Sequence, residues 1–228
     1  MRIDKLLSRV VYGSRKAVKI MLKDGVVRIN DDIVSDPKTK VDLSIDKVYV
    51  EDELVAYEEK VYIMMHKPYG YECTHSPDLY PSVLELLHHY RDDLIMVGRL
   101  DVDTEGLLLI TNDGTFSHRI SHGKKEVYKT YYVELEREFD QSYIKNLESG
   151  ITLDYQKLKP ATVKMLGARA IELSIAEGKY HQVKRMMQQC KNYVTYLKRI
   201  KIGDLELDPH LNPGEYRPLT EEELNYFM

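Results

Sequence analysis

The period of the apolar residues changes several times along the chain, and each change marks an element. Ile3, Leu6, Leu7, Val10 and Val11 recur at helical spacing. Ser14 stands where an N-cap would open a second helix carrying Val18, Met21 and Leu22, and Gly25 fits the position just past its end. Residues 26–30 alternate like a strand, Asn30, Asp31 and Asp32 turn, and Ile33-Val34 returns. The charged, aperiodic stretch 51–60 leads into an apolar strand from Val61 that breaks at Pro68 and Gly70. Residues 82–93 predict an amphipathic helix opening after Pro81. The most informative segment is 96–114. Two apolar runs flank a charged loop bounded by Gly98 and Gly106, and the second run ends in the turn signal Asn112-Asp113-Gly114. A helix over 115–120, a basic loop over 121–125 and a strand over 127–135 follow. In that strand Lys129 and Tyr131 share one face, Tyr128 and Tyr132 the other. Residues 141–176 read as a helix and then strands. A glycine turn at Gly178 opens another helix, and Thr220 with Glu223 fits a capping box for the last one. No internal repeat or low-complexity tract interrupts this order.

Mixed helices and strands over 228 residues place the chain in the α+β class, with room for one large or two modest domains. Charge sharpens the division. Residues 1–50 hold 11 Lys+Arg against 7 Asp+Glu, whereas the rest of the chain is net negative and the whole carries −4. The expected organisation is therefore a basic domain over 1–55, a linker over 56–60 and an acidic body over 61–228. Arg15, Lys16, Lys19 and Lys23 fall mostly on one helix face, which suits sequence-independent phosphate contacts, a plain solvated face being the alternative. No apolar run approaches the roughly 20 residues of a membrane span, and no secretory signal is expected at the N-terminus. Cys73 and Cys190 are too few for a disulfide framework or a zinc finger, so a reducing cytoplasm is the expected location.

Candidate chemistry collects in the central loop, where Arg99, Asp101, Asp103 and Glu105 share one small space between two strands. In an extended strand the three carboxylates would lie on one face, which leaves a metal or glycosidase cluster open. His66 and Lys67 end a strand, a frequent place for site residues, although a histidine there is more often structural. His88-His89 is adjacent rather than spaced by a helical turn, a poor metal pair. Lys179, His181, Lys184 and Arg185 cluster at a helix start, where positive charge is unfavourable unless an anion is near.

Two resemblances organise these residues. Arg2-Ile3-Asp4-Lys5-Leu6-Leu7, Gly13-Ser14-Arg15-Lys16-Ala17 and Asp24-Gly25-Val26-Val27-Arg28-Ile29-Asn30 resemble the S4 RNA-binding domain. The pair Asp31-Asp32 departs from it, where the family usually has glycine after Asn, which affects turn geometry only. Gly98-Arg99-Leu100-Asp101, Asp103 to Leu109 and Thr111-Asn112-Asp113-Gly114 resemble the central motif of the pseudouridine synthases. His66-Lys67-Pro68-Tyr69-Gly70, Lys129-Thr130-Tyr131 and the stretch 177–186 match the flanking motifs in order. Tyr180-His181, and an end soon after the acidic helix, favour the type acting on small-subunit ribosomal RNA. The large-subunit type and a non-catalytic RNA-binding assembly protein remain as alternatives.

The resemblance implies a catalytic domain on a mostly antiparallel mixed sheet with flanking helices, preceded by a small S4-like domain. It implies isomerisation of a uridine in 16S rRNA, uridine 516 in particular, within a small-subunit precursor particle. No cofactor, metal or membrane is implied, and a monomer is the default. Asp101 is the implied reacting carboxylate, with Lys184 its cationic partner and Tyr131 packing on the uracil. Arg99, Arg185, His181 and Lys67 are the implied RNA contacts in the body, and Arg2, Ser14, Arg15, Lys16, Lys19 and Arg28 in the N-terminal domain. Activity should fall as salt rises.

Overall fold

The computed structural model describes residues 1–10, 12, 14–87, 93–121 and 126–228. Val11, Gly13, His88-His89 and most of the basic loop 121–125 lie outside the described residues, as does most of the second half of the helix expected over 82–93. Packing divides the chain into two units, one of Met1–Lys60 with Leu87–Leu94, the other of Val61–Leu86 with Ile95–Met228.

The first unit begins with α1 (Ile3–Arg9) and α2 (Arg15–Lys23). Ser14 caps α2 by accepting from the Ala17 amide, and Gly25 takes φ +74 just beyond its end, as the spacing of polar and apolar residues predicts. Strands β1 (Val27–Ile29), β2 (Asp32–Ile33), β3 (Val48–Val50) and β4 (Glu53–Leu54) form an antiparallel sheet in the order β2-β1-β3-β4. Asn30 supplies the left-handed residue of the β1–β2 turn, so glycine is not needed there. The β3–β4 hairpin was hidden in the sequence, because its turn is the charged pair Glu51-Asp52, both at positive φ. Ile3, Leu6, Leu7, Val18, Leu22, Val27, Val41, Val48, Val50 and Val55 close one core. Val55 belongs to that core, although it lies in the charged stretch that reads like a tether.

Among the described residues the second unit is built on one nine-stranded sheet. Its main path is β11 (Thr162–Gly167), β12 (Ala170–Ile175), β8 (Lys129–Leu135), β13 (Val194–Ile202), β7 (Glu105–Thr111), β5 (Tyr62–Lys67) and β15 (Tyr216–Pro218). Strand β6 (Ile95–Val97) pairs with β7, and β14 (Leu205–Glu206) pairs with β13. All pairings are antiparallel except β13 with β7. Every residue of β7 after Glu105 is buried, which fits a central strand covered on both faces. On one face α3 (Gly114–Ser121) sets Phe116 and Ile120 against Leu107 and Leu109, with Phe227 from beyond α6 (Glu221–Asn225). Asp113 caps α3 by accepting from the Thr115 and Phe116 amides, so the Asn-Asp-Gly turn is also a helix start. The capping box of Thr220 and Glu223 is present.

Three further elements border the site. These are α4 (Ile144–Glu148), the hairpin β9 (Thr152–Leu153) with β10 (Gln156–Lys157), and α5 (Gln182–Gln189). The described part of 82–93 is a single 3₁₀ turn, Val83–Leu86, rather than the start of an α-helix. Ser82 and Glu85 hold that turn with their side chains, the Glu85 carboxylate accepting from the Ser82 amide and the Ser82 hydroxyl from the Leu84 amide.

Two glycines at positive φ separate backbone strain from close approach. A Cβ on Gly106 (φ +105) would lie 2.2 Å from the Arg199 carbonyl oxygen, whereas one on Gly70 (φ +83) meets nothing within 4 Å. Gly70→Ala should cost about 1–2 kcal/mol through its left-handed backbone. Gly106→Ala must also part β7 from β13 and should cost more than about 4 kcal/mol. Denaturant unfolding of the two variants measures the difference; equal losses would contradict the clash.

Candidate active site

The charged loop between Gly98 and Gly106 has no strand partner of its own, so its backbone carbonyls must be satisfied from outside. Two buried cations do this. Lys67, at the end of β5, has no exposed surface, and its Nζ donates to the carbonyls of Pro68 (2.9 Å), Val102 (3.3 Å) and Thr104 (2.8 Å). Three acceptors match the three N–H groups of an ammonium. Burial pushes the Lys67 pKa down, and the neighbouring Cys73, Asp103, Glu105 and Asp101 oppose that. Arg199, on β13, is also buried. Its Nε donates to the Leu107 carbonyl at 2.7 Å and its Nη2 to that of Gly98 at 3.2 Å, tying the two ends of the loop together. The Gly70 amide adds a bond to the Val102 carbonyl, and Cys73 Sγ accepts from the Leu100 amide.

Held this way, the loop presents Asp101 to Lys184 on α5. Asp101 Oδ2 lies 3.0 Å from Lys184 Nζ, and Asp103 Oδ1 takes the same ammonium at 2.6 Å. Partial burial works against the Lys184 charge, but the bonds from Asp103 and Asp101 outweigh it and raise its pKa above the ordinary lysine range. His181 Nε2 is 3.7 Å from the same Asp101 oxygen. Tyr131 is buried on β8 and lines a recess of about 60 Å³ with Arg99, Leu100, Asp101, Lys184 and Leu197. This recess adjoins an open cleft of about 880 Å³ whose wall includes Glu72, Arg99, Asp103, Tyr180 and His181.

The three carboxylates do not form one cluster. The segment turns at Thr104, whose amide donates to the Asp101 carbonyl, and Glu105 accepts from the Tyr196 hydroxyl at 2.7 Å. Burial and that acceptor both push the Tyr196 pKa up. The extended arrangement that a shared metal would need is therefore not what the chain adopts. Among the described residues no group of three or more His, Cys, Asp or Glu is arranged to hold a metal ion.

The other candidates divide by what they touch. Arg99 is exposed and lines both the recess and the cleft. Lys67 departs from its expected role: a fully buried ammonium bonded to three carbonyls braces the loop and cannot meet RNA. Arg185 is committed within the chain, its Nη2 bonding Asp154 at 2.5 Å and its Nη1 the Tyr180 carbonyl at 3.5 Å. His66 is structural, with Nδ1 2.7 Å from the Leu211 carbonyl and a pKa lowered by burial. In the first unit Ser14, Arg15, Lys16, Lys19 and Lys23 are exposed. Arg2 pairs with Asp4, and Arg28 lies over the Tyr49 ring and pairs with Asp52, so both are partly spent on the fold. The anion demanded by the cationic start of α5 is supplied from within, by Asp101 and Asp103 for Lys184 and by Asp154 for Arg185. Lys129, on the same face as Tyr131, is also buried, its Nζ donating to the Ile120 carbonyl; burial, with Arg199 and Lys159 nearby, lowers its pKa to about 8.

A family profile described as RNA pseudouridylate synthase matches residues 61–189, and one described as S4 domain matches residues 1–44. The chain belongs to the RNA pseudouridine synthase family. Its relatives include an uncharacterised RNA pseudouridine synthase of Bacillus subtilis, 45% identical over 99% of this chain and 97% of the relative. Ribosomal small subunit pseudouridine synthase A of Haemophilus influenzae is 40% identical over 98% of each chain, and that of Escherichia coli is 38% identical over 98% of each. A crystal structure of a pseudouridylate synthase superposes with a TM-score of 0.72 at 38% identity, covering both chains completely. As a pseudouridine synthase with an N-terminal S4 domain, the chain is an isomerase of RNA uridine, and its α+β architecture is that of the family.

Two of the groups that matter most to this synthase site, Arg199 and Tyr196, carried little sequence signal. Arg199 could have been noticed as a cation at the apolar parity of β13, two residues from buried Leu197. Replacing Lys67 with Met keeps its length but removes a buried donor shared by the Pro68 carbonyl and the loop carbonyls of Val102 and Thr104. Lys67→Met should cost about 2–4 kcal/mol of stability, and turnover should fall at least ten-fold at temperatures where the variant is still folded. Denaturant unfolding and turnover assays check this; wild-type turnover would show that the loop does not depend on Lys67.

Proposed function

We propose that this pseudouridine synthase acts on one uridine of small-subunit 16S ribosomal RNA, uridine 516 by the family resemblance, and that Asp101 is its reacting carboxylate. The observation that carries the reading is the Asp101–Lys184 pair at 3.0 Å beside buried Tyr131, on a pinned loop at the edge of an open cleft. The substrate rests on full-length similarity to relatives named for the small subunit. We take the substrate to be a precursor particle, the enzyme to be a monomer and its location to be the cytoplasm. No helix of the described residues is long and apolar enough to cross a membrane.

The reaction breaks the N1–C1′ bond, turns the uracil within the pocket and joins C5 to C1′. The proton on C5 leaves to solvent and N1 gains one, so atoms and electrons balance without a cofactor. Asp101 bonds either C1′ of the ribose or C6 of the base, and both require the ionised form; the Lys184 ammonium lies 3.0 Å from its Oδ2. In either case Asp101 gives up its negative charge. Asp103 then retains Lys184, so the cation stays at the pocket through the step. Tyr131 packs on the uracil and is placed to remove the C5 proton, and exposed Arg99 holds the phosphate of a flipped nucleotide. The exposed cations of α2 supply phosphate affinity without reading sequence.

With 5-tritiated uridine in 16S rRNA precursor particles, the wild type should release tritium to water and Asp101→Asn should release none. Release by both would overturn the assignment, and mapping the product tests the position. Reversing Arg15, Lys16 and Lys19 to Glu should raise KM and leave kcat nearly unchanged. It should also lower the slope of log affinity against log salt by about 1–3. An unchanged slope would remove the S4 helix from RNA binding.

A further inference from the structure

Tyr180 and His181 form a two-ring stack at the rim of the recess, with centroids 3.8 Å apart and planes inclined by 18°. His181 reaches within 3.7 Å of Asp101 Oδ2, so the stack starts at the carboxylate and runs outward along the cleft wall. Tyr180 is 74% exposed, and among the described residues no second ring covers it.

The presentation of these rings is imposed by the chain. His181 has left-handed backbone (φ 48, ψ 35), which a residue with a β-carbon adopts only when its surroundings enforce it. Here the enforcement is visible. The Arg185 amide donates to the His181 carbonyl, the Lys179 amide donates to Gln182 Oε1, and the Gln182 amide donates back to the Lys179 carbonyl. The Arg185 guanidinium then links the Tyr180 carbonyl to Asp154 in the β9–β10 turn. The turn thus holds the Tyr180 ring exposed on the cleft wall rather than packed into the core.

RNA chemistry gives the exposed ring a use. Drawing a uridine into the recess breaks its stacking and bares the face of the next base, and proteins hold such splayed bases on aromatic side chains. We propose that Tyr180, backed by His181, is the stacking platform for the nucleobase next to the target uridine, and so sets which single-stranded contexts are accepted. The inference rests on an RNA uridine as substrate and adds the subsite beside it.

The test uses the full-length chain with an RNA hairpin carrying the target uridine and 2-aminopurine at either adjacent position. In the inactive D101N background, bound 2-aminopurine should be quenched at one of the two positions. The quench should persist in D101N/Y180F and vanish in D101N/Y180L. In the active background Y180L should raise KM roughly ten-fold, the size of one base–aromatic stack, with little change in kcat. An abasic nucleotide at the quenched position should erase the difference between Y180L and wild type. Equal quenching by Y180L, or a KM penalty that survives the abasic substitution, would overturn the platform. Tyr180-dependent quenching by a wild-type enzyme that releases no tritium from the hairpin or from precursor particles would instead sink the catalytic reading and leave the platform standing.

Discussion

The site depends on a loop that cannot satisfy its own backbone. Between β6 and β7 the chain leaves the sheet, and the carbonyls of Gly98, Val102 and Thr104 meet buried cations rather than water. A buried carbonyl without a donor costs about 1–3 kcal/mol, so several together would undo the loop. Lys67 and Arg199 reverse that balance by using cations as many-handed donors, one inside the loop and one across its ends. With the carbonyls fixed inward, the side chains of Asp101 and Asp103 are directed to Lys184.

Sheet topology makes this bracing possible. Arg199 faces Gly106 across the parallel β13–β7 contact and Tyr131 across the antiparallel β13–β8 contact. One residue thus fixes the loop that carries Asp101 and stands beside the strand that carries Tyr131. The absence of a side chain at Gly106 is what lets the two backbones approach so closely. Loop, strand and helix are brought to one recess by backbone register, and the chemistry inherits its geometry from the sheet.

Much of this was legible because local signals and long-range needs agree. Ser14, Gly25, Asp113 and Thr220 mark helix ends with side chains or backbone freedom that act within a few residues, so the sequence shows them directly. The loop at 98–106 was legible for the same reason, bounded by glycines and apolar runs. Asp101 and Lys184 could be paired only through a family resemblance, since nothing local joins residues so far apart in the chain. The β3–β4 hairpin escaped because charged residues at positive φ look like a tether. Lys67 was misread as an RNA contact because a sequence shows a charge but not its depth. Burial is a property of the assembled sheet, and it converts a surface-type residue into an internal brace.

Depth also changes what such a charge does. Lys67 donates only to neutral carbonyls, so its field is not cancelled by a carboxylate in contact. It acts on Asp101, Asp103 and Glu105 through the interior, where the effective dielectric is far below that of water. Lys184 behaves differently, because it bonds Asp101 and Asp103 directly. The two lysines therefore divide the work. Lys184 is the partner that touches Asp101, the carboxylate proposed to react, and Lys67 is a buried charge that holds the loop without occupying the Asp101 oxygens. Asp101 lines both the recess and the open cleft. Lys67, sunk beneath the backbone, braces the loop without lining either space.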